Sequence, residues 1–223
     1  MNSSRNRRGR GALYLLRQTA FRLTWGYLSA LCCTLLLALA TSALAQKPQT
    51  PFAVTLDPAT TAIHWTLNTT LHTVHGTFKL KSGAFKIDPA TGEASGLIVI
   101  DATSGESGDA SRDKRMHAAI LESPQYPTIA FRPTHVDGAI DLSATGPVTV
   151  SGIITLHGQE HPLQIAVNLH PQASAVALAT HFTVPFVAWG LKDPSTFVFR
   201  TDKEVTLDVD ATIVPIPEPA RPH

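Results

Sequence analysis

The stretch SRDKRMH, residues 111–117, groups side chains that could do chemistry, since four of its seven residues are charged and a histidine closes it. Such a cluster suits a catalytic site, an anion-binding patch or a nucleic-acid contact. It equally suits the solvated outer face of a short helix. Ser111 is a candidate N-cap, and Met116 and Ile120 follow at helical spacing. The pattern predicts a short helix near residues 111–121, whose Met116 and Ile120 could cover the open end of a hollow domain.

The ten histidines raise the alternative of a metal site. His72 and His75 are three positions apart, but such positions in a strand point to opposite faces. His157 and His161 flank a predicted turn, and they lack the His-Glu-x-x-His order that a zinc peptidase carries on a helix. We therefore expect no metal site and no cofactor.

Signatures of an enzyme are weak in this sequence. Ser107 lies in GESG, which lacks the glycine spacing of a nucleophile elbow. Asp208 and Asp210 share the outward face of a predicted strand, where carboxylates are usually solvated. Both cysteines, Cys32 and Cys33, lie in the N-terminal segment. We predict that the protein is not an enzyme.

Residues 1–45 have the pattern of a secretory signal peptide. Their front is rich in arginine, no acidic residue precedes Asp57, and an apolar run ends in Ala43-Leu44-Ala45. The apolar core, residues 31–40, is shorter than the ~20 residues that a membrane-spanning helix needs. We therefore predict export with cleavage after Ala45, to the periplasm of a bacterium with two membranes or out of the cell.

Cleavage would also change the charge of the protein. Six of the eighteen Lys and Arg residues and none of the seventeen Asp and Glu residues lie in residues 1–45. The remaining chain would carry twelve basic and seventeen acidic residues, a net charge of −5 with neutral histidines. A mildly acidic surface argues against nucleic acid as a partner, because phosphate contacts need clustered basic residues.

Most of the remaining sequence alternates between apolar and polar residues with a period of two. Residues 163–169 and 205–213 are clear examples, and the pattern is typical of antiparallel sheet with one buried face. The alternation changes phase near Ser82-Gly83, which predicts a bulge. About eight such strands without a covering helical layer fit either a β-sandwich or a closed barrel. The proline-rich residues 214–223 are predicted to be a disordered tail.

Four stretches together carry a family resemblance: GTF at 76–78 with Gly83, RD at 112–113 with MH at 116–117, YPTIAF at 126–131, and GIITLHG at 152–158 followed by HPL at 161–163. Through them the chain resembles the YceI-like family of secreted, lipocalin-like proteins that bind polyisoprenoid lipids. The resemblance runs from about Phe52 to Ile213 and gives residues 46–213 as one domain. Residues 60–61 and 183–190 depart from the family pattern, and the second departure could border the mouth of the barrel.

The resemblance implies a single antiparallel, lipocalin-like β-barrel of about eight strands with one short helix. Its interior would hold an isoprenoid lipid, such as a quinone or a polyprenyl phosphate, for carriage or storage. The alternative is a filled barrel, a structural or protein-interaction module with no cavity. Transient contact with a membrane and the oligomeric state both stay open.

The candidate ligand-binding residues fall into two groups. The apolar side chains expected inside the barrel or on its helical lid are Trp65, Leu67, Phe78, Leu80, Ile98, Ile100, Met116, Ile120, Ile129, Phe131, Ile154, Leu156, Val167, Leu169, Phe182 and Val184. The polar side chains that could meet a head group at the rim are His72, His75, Arg115 and His117.

Overall fold

The computed structural model describes residues 50–217, and the predicted signal peptide lies outside them. This part of the chain consists mainly of strands with a single short helix. The elements are β1 (Phe52–Leu56), β2 (Ala62–Asn68), β3 (Thr73–Ile87), β4 (Ala94–Glu106), α1 (Ala110–Ala119), β5 (Thr128–Asp137), β6 (Gly146–Leu156), β7 (Gln159–Pro171), β8 (Val176–Val184), β9 (Val205–Ile213) and β10 (Ile216–Pro217). No helix within residues 50–217 is long and apolar enough to cross a membrane.

The strands β2 to β9 close into an eight-stranded antiparallel barrel. Their order around the barrel is β3-β2-β9-β8-β7-β6-β5-β4, and β4 pairs back onto β3. The predicted fold class, an all-β barrel of about eight strands with one short helix, is confirmed. Because β4 pairs back onto β3, each of these eight strands has a neighbour on both sides. Closure of this kind prevents the strands of an all-β fold from pairing with other chains.

The long strand β3 bends part of the way along its length. Its first half pairs with β2, and its second half, from Gly83 to Ile87, pairs with β1. Its pairing with β4 shifts register between Leu80 and Ser82. This irregularity lies next to the bulge predicted from the change of phase at Ser82-Gly83. The bend lets one strand serve both ends of the barrel.

The helix α1 begins two residues earlier than the position of the predicted cap implied. The N-cap is Asp109, not Ser111, and its carboxylate accepts a hydrogen bond from the backbone N–H of Arg112 at 2.9 Å. This hydrogen bond lowers the pKa of Asp109. Asp113, in the first turn, accepts hydrogen bonds from both the N–H and the hydroxyl of Ser107. Both acids therefore fix the turn that precedes the helix.

The interior of the barrel is divided into two apolar clusters. The register places Val176 opposite Ile213 at one end and Val184 opposite Val205 at the other. The larger cluster surrounds the first pair and includes side chains of β1. The smaller cluster surrounds the second pair, next to α1 and the β8–β9 loop. The larger cluster is a packed core, whereas the smaller one borders a cavity described below.

The prediction of a disordered tail over residues 214–223 is wrong for residues 216 and 217. Ile216 and Pro217 form β10, which pairs with Ala53 and Phe52 of β1. The prolines do not prevent this pairing, since β10 is the outermost strand and proline is tolerated at a sheet edge. Residues 218–223 lie outside the described residues.

Candidate functional site

The end of the barrel beside α1 encloses a cavity of about 480 Å³. Ligand pockets in proteins commonly measure about 300–1,000 Å³. The cavity wall is built from inward-facing side chains of seven strands together with residues of α1 and of the β8–β9 loop. Those on strands are Ile63, Trp65, Leu67, Val74, Phe78, Ile100, Ile129, Ile154, Leu156, Phe182, Val184, Val205 and Leu207.

Strand pairing explains why these side chains meet in one cavity. Trp65 of β2 and Phe182 of β8 both pair with Leu207 of β9, so the three side chains point to the same face. Trp65 is only 5 % exposed and lies against Gly76 of the neighbouring strand. A Cβ atom at Gly76 would overlap the indole ring. Glycine at this position therefore leaves space for the large ring in the barrel wall.

Eleven of the sixteen predicted apolar residues line this cavity. The remaining five, Leu80, Ile98, Phe131, Val167 and Leu169, do not line it. Leu80, Val167 and Leu169 are buried in the larger core cluster, and Ile98 packs against that cluster. The ring of Phe131 is buried against Gly152. All five belong to the packed interior, because period-two alternation predicts which face a side chain is on but not its depth along the barrel axis.

Met116 of α1 and Ile120, the C-cap residue of α1, both line the cavity. The methyl group of Met116 lies close to Gly105 of β4, where an added Cβ would approach it to 3.0 Å. The helix carries no fully buried residue, so it rests on the opening rather than inside the core. Helix α1 therefore covers part of the cavity with a narrow apolar stripe.

His117, predicted at the rim, instead attaches the helix to the barrel. Its Nε2 lies 2.8 Å from the carbonyl oxygen of Gly105, and its Nδ1 lies 2.9 Å from the hydroxyl of Ser123. Because a carbonyl oxygen only accepts, Nε2 carries the proton and donates it. Ser123 is 3 % exposed. His117 therefore satisfies a buried hydroxyl and does not line the cavity.

The other predicted rim residues are divided between the two faces of the wall. His72 and Arg115 line the cavity, and Nη2 of Arg115 donates to the carbonyl oxygen of Pro194 at 3.2 Å. His75 does not line it, since its Nδ1 contacts the hydroxyl of Thr66 at 3.0 Å on the exposed side of the sheet. Arg112, which was not predicted, also lines the cavity, and its Nε donates to Ser107 Oγ at 2.7 Å.

The β8–β9 loop, residues 185–204, supplies a part of the site that the strand pattern did not predict. Phe186 and Leu191 are buried in the smaller apolar cluster and line the cavity. The N–H of Leu191 donates to the carbonyl oxygen of Phe186 at 3.0 Å, which holds the loop in a compact turn. The segment that departs from the family pattern, residues 183–190, thus does border the cavity. Departure from a known motif was the only sequence signal for it.

Trp189 of this loop packs on the part of β7 that does not pair with β8. Pairing between β7 and β8 ends at Val167 and Thr180, so the first half of β7 has no partner in β8. The indole of Trp189 stacks on the ring of His161 in β7, with ring centroids 4.4 Å apart and planes inclined by 2°. The stacked pair therefore links the β8–β9 loop to this part of β7.

The histidines considered for metal binding have separate partners. The Nε2 of His157 lies 2.8 Å from a carboxylate oxygen of Glu122, and the His157 ring packs on Tyr126. His161 instead stacks on Trp189. No group of three or more His, Cys, Asp or Glu side chains within residues 50–217 is arranged to hold a metal ion. The arrangement of this end of the barrel therefore offers apolar burial with a few polar groups at the mouth.

Comparison with known proteins identifies related sequences and folds. The model of the YceI-like domain family matches residues 54–213, which confirms the resemblance found in the sequence. A UPF0312 protein of Vibrio cholerae is 36 % identical over 94 residues, or 41 % of this chain and 48 % of the relative. A UPF0312 protein of Pseudomonas putida is 37 % identical over 92 residues, or 40 % and 46 %. The matched stretch thus spans about half the length of these curated relatives.

Two solved structures share the fold. BcnA of Burkholderia cenocepacia superimposes with a TM-score of 0.58 at 16 % identity, covering 70 % of this chain and 98 % of BcnA. A polyisoprenoid binding domain from Saccharophagus degradans, implicated in plant cell wall breakdown, gives a TM-score of 0.54 at 19 % identity, covering 74 % and 99 %. At these identities the likeness establishes a common barrel architecture.

Proposed function

Because the chain belongs to the YceI-like family and its barrel is hollow at one end, we propose that it binds an isoprenoid-type amphiphile such as a quinone or a polyprenyl phosphate. The apolar chain would lie in the barrel and the head group would lie at the mouth, near His72 and Arg115. The observation that carries this proposal is the cavity of about 480 Å³ with its almost wholly apolar wall. The likeness to a polyisoprenoid binding domain supports the choice of lipid.

The energetics of apolar burial favour such a ligand. Removing about 300 Å² of apolar ligand surface from water contributes roughly 7 kcal/mol at 25 cal/mol per Å². Loss of translational and rotational freedom offsets a large part of this gain. A long apolar chain can therefore bind well even where the cavity provides few hydrogen bonds. A filled barrel, the alternative of a structural module with no ligand, fits the packed end but not the end beside α1.

The protein is proposed to carry or store the lipid without reacting with it, after export to the periplasm or out of the cell. The arrangement around Ser107 supports a binding role, because its hydroxyl donates to Asp113 and accepts from Arg112 in the turn that begins α1. Because this hydroxyl already bonds to both partners, it stabilises the turn and is not poised as a nucleophile. The arginine-rich, apolar N-terminal segment supports export.

Native mass spectrometry of the full chain, expressed with its N-terminal segment and purified from the exported fraction, tests the proposal. We expect a polypeptide beginning at Gln46 with a bound mass that lipid extraction resolves into a quinone or polyprenyl species. The variant Leu67→Glu places a carboxylate on the cavity wall and should lose this mass. His64→Glu is the matched control, since His64 is exposed on the same strand. A ligand-free mass that persists after incubation with isoprenoid lipids would overturn the proposal.

A further inference from the structure

A group of exposed apolar side chains lies at the mouth of the cavity. Leu71, in the β2–β3 turn, is 68 % exposed, and Phe197, Val198 and Phe199, in the β8–β9 loop, are 101 %, 72 % and 49 % exposed. We call these four residues the apolar tip. Scattered surface leucines and valines are ordinary, but two exposed phenylalanines separated by one exposed valine beside a cavity mouth mark an interaction surface.

Hydrogen bonds hold the apolar tip in place. The N–H of Thr196 donates to the carbonyl oxygen of Phe199 at 2.8 Å, and the N–H of Phe199 donates to the hydroxyl of Thr196 at 3.0 Å. The N–H of Thr70 donates to the carbonyl oxygen of Arg200 at 3.0 Å and so joins the two loops. A bridge between Thr69 and Thr201 adds a second link. The phenylalanines are thus presented to the outside by a bonded turn.

The apolar surface continues from the tip into the barrel. Leu71 and Phe199 belong both to the exposed tip and to the cavity lining. An apolar molecule that leaves the cavity past these two side chains would therefore contact the tip before it met bulk water. A surface with this continuity is suited to a partner that is itself the source or the destination of the lipid.

The size and charge of the apolar tip point to a lipid bilayer as that partner. A phenylalanine can bury about 150–250 Å², so the four side chains offer roughly 500 Å², less than the ~800 Å² that each partner of a stable protein interface buries. Phe197 has no surface covered by the rest of the protein, and a fully exposed apolar side chain can enter a deformable medium without a matching pocket on a second copy of the chain. Residues 192–204 of the same loop contain three basic and three acidic side chains, Lys192, Arg200, Lys203, Asp193, Asp202 and Glu204. Attachment should therefore depend little on anionic lipid.

We propose that the apolar tip inserts into the interfacial region of a lipid bilayer and sets the cavity mouth against the membrane. An isoprenoid chain then passes between bilayer and barrel without crossing water. The insertion rests on the proposed lipid-binding function for its purpose, but it can be measured without any cavity ligand. The energetic basis is the transfer of the tip's apolar surface out of water.

Flotation with vesicles tests the insertion. We expect the wild-type protein to bind phosphatidylcholine vesicles, to bind vesicles with added phosphatidylglycerol about equally, and to stay bound at high salt. The double variant Phe197→Ser with Val198→Ser should partition at least about tenfold more weakly, because it removes two exposed apolar side chains. The matched control is Val214→Ser with Ile216→Ser, since these side chains are 59 % and 60 % exposed in the chain segment around β10. The control should bind like the wild type.

Three outcomes would overturn the insertion: no flotation of the wild type, equal flotation of the tip variant, or a dimer that only the tip variant loses. Binding of a short-chain ubiquinone in solution, read from tryptophan fluorescence, separates this proposal from the proposed function. Flotation without binding of ubiquinone or of a short-chain polyprenyl phosphate would overturn the proposed function and support the insertion. Binding of either ligand without flotation would overturn the insertion and support the proposed function. Melting temperatures of both double variants check that each one folds.

Discussion

At the scale of single residues, hydrogen bonding distinguishes the histidines that sequence alone placed together at the rim. His72 and His75 are three apart in sequence, and only His72 reaches the cavity. His75 lies in β3 and contacts Thr66 on the outside of the sheet, whereas His72 precedes β3 and lies in the turn between β2 and β3. His117 satisfies Ser123 and the carbonyl of Gly105. Spacing along a strand did not decide the positions of the first pair, because His72 lies outside β3. Nor could it give the partners of His117, which come from segments on either side of α1.

Replacing His117 by alanine should destabilise the fold through Ser123. The substitution leaves a hydroxyl that is 3 % exposed without its partner. An unsatisfied buried polar group costs about 1–3 kcal/mol, and we expect a loss of that size in the free energy of unfolding measured with denaturant. His75→Ala is the control, because an exposed substitution typically changes stability by less than about 0.5 kcal/mol. Equal stability of the two variants would contradict the anchoring role of His117.

At the scale of elements, the regular strands could be predicted and the irregular segments could not. Alternation of apolar and polar residues predicts the barrel strands, since each buries one face. It gives no depth, and so Val167 and Val184 look alike in sequence although one is in the packed core and the other lines the cavity. The β8–β9 loop has no period, and its inward fold depends on tertiary contacts such as the stacking of Trp189 on His161.

Because α1 covers part of the cavity, its apolar stripe should slow the release of a bound ligand. The double variant Met116→Asp with Ile120→Asp replaces two cavity-lining apolar side chains by carboxylates. Because burying an unpaired charge against an apolar wall is unfavourable, these side chains should turn towards water and uncover the cavity. We expect bound ubiquinone to dissociate at least about tenfold faster from this variant, a change of ~1.4 kcal/mol, in a stopped-flow fluorescence measurement. Lys114→Asp, an exposed substitution on the same helix, should leave the rate unchanged. An unchanged dissociation rate in the double variant would contradict the lid and favour the alternative that this helix does not control ligand release.

At the scale of the whole molecule, the barrel divides stability and binding between its two ends. The packed end includes the buried side chains Val54, Val176 and Ile213, and apolar burial there stabilises the closed sheet. The hollow end gives up part of this stabilisation, because wall side chains that face a cavity lack packing partners. Short polar turns at Asp109 and Asp193 add to this packing in holding the segments around the hollow end. The strength of these turns should therefore depend on the ionisation of their aspartates.

Acid should destabilise the protein through four aspartates whose carboxylates accept hydrogen bonds from nearby residues. Hydrogen bonds from Thr103, Arg112, Ser143 and Ser195 lower the pKa of Asp101, Asp109, Asp141 and Asp193 below the ordinary value of 3.8. A carboxyl group with a lowered pKa in the folded state contributes stability that is present above the unfolded pKa and is lost as pH falls through the folded pKa. We expect the melting temperature to change little between about pH 7 and 5 and to fall below about pH 4.

The variant Ser143→Ala isolates one contribution to this acid sensitivity. The Ser143 hydroxyl donates to the Asp141 carboxylate at 2.6 Å and is the largest cause of the lowered pKa of Asp141, and the variant removes it while leaving the carboxylate in place. Its melting temperature should therefore fall less between about pH 5 and 2 than that of the wild type, because the pKa of Asp141 would differ less between the folded and unfolded states. A melting temperature that does not change below about pH 4 in either protein would show that these turns do not stabilise the fold through their ionised carboxylates.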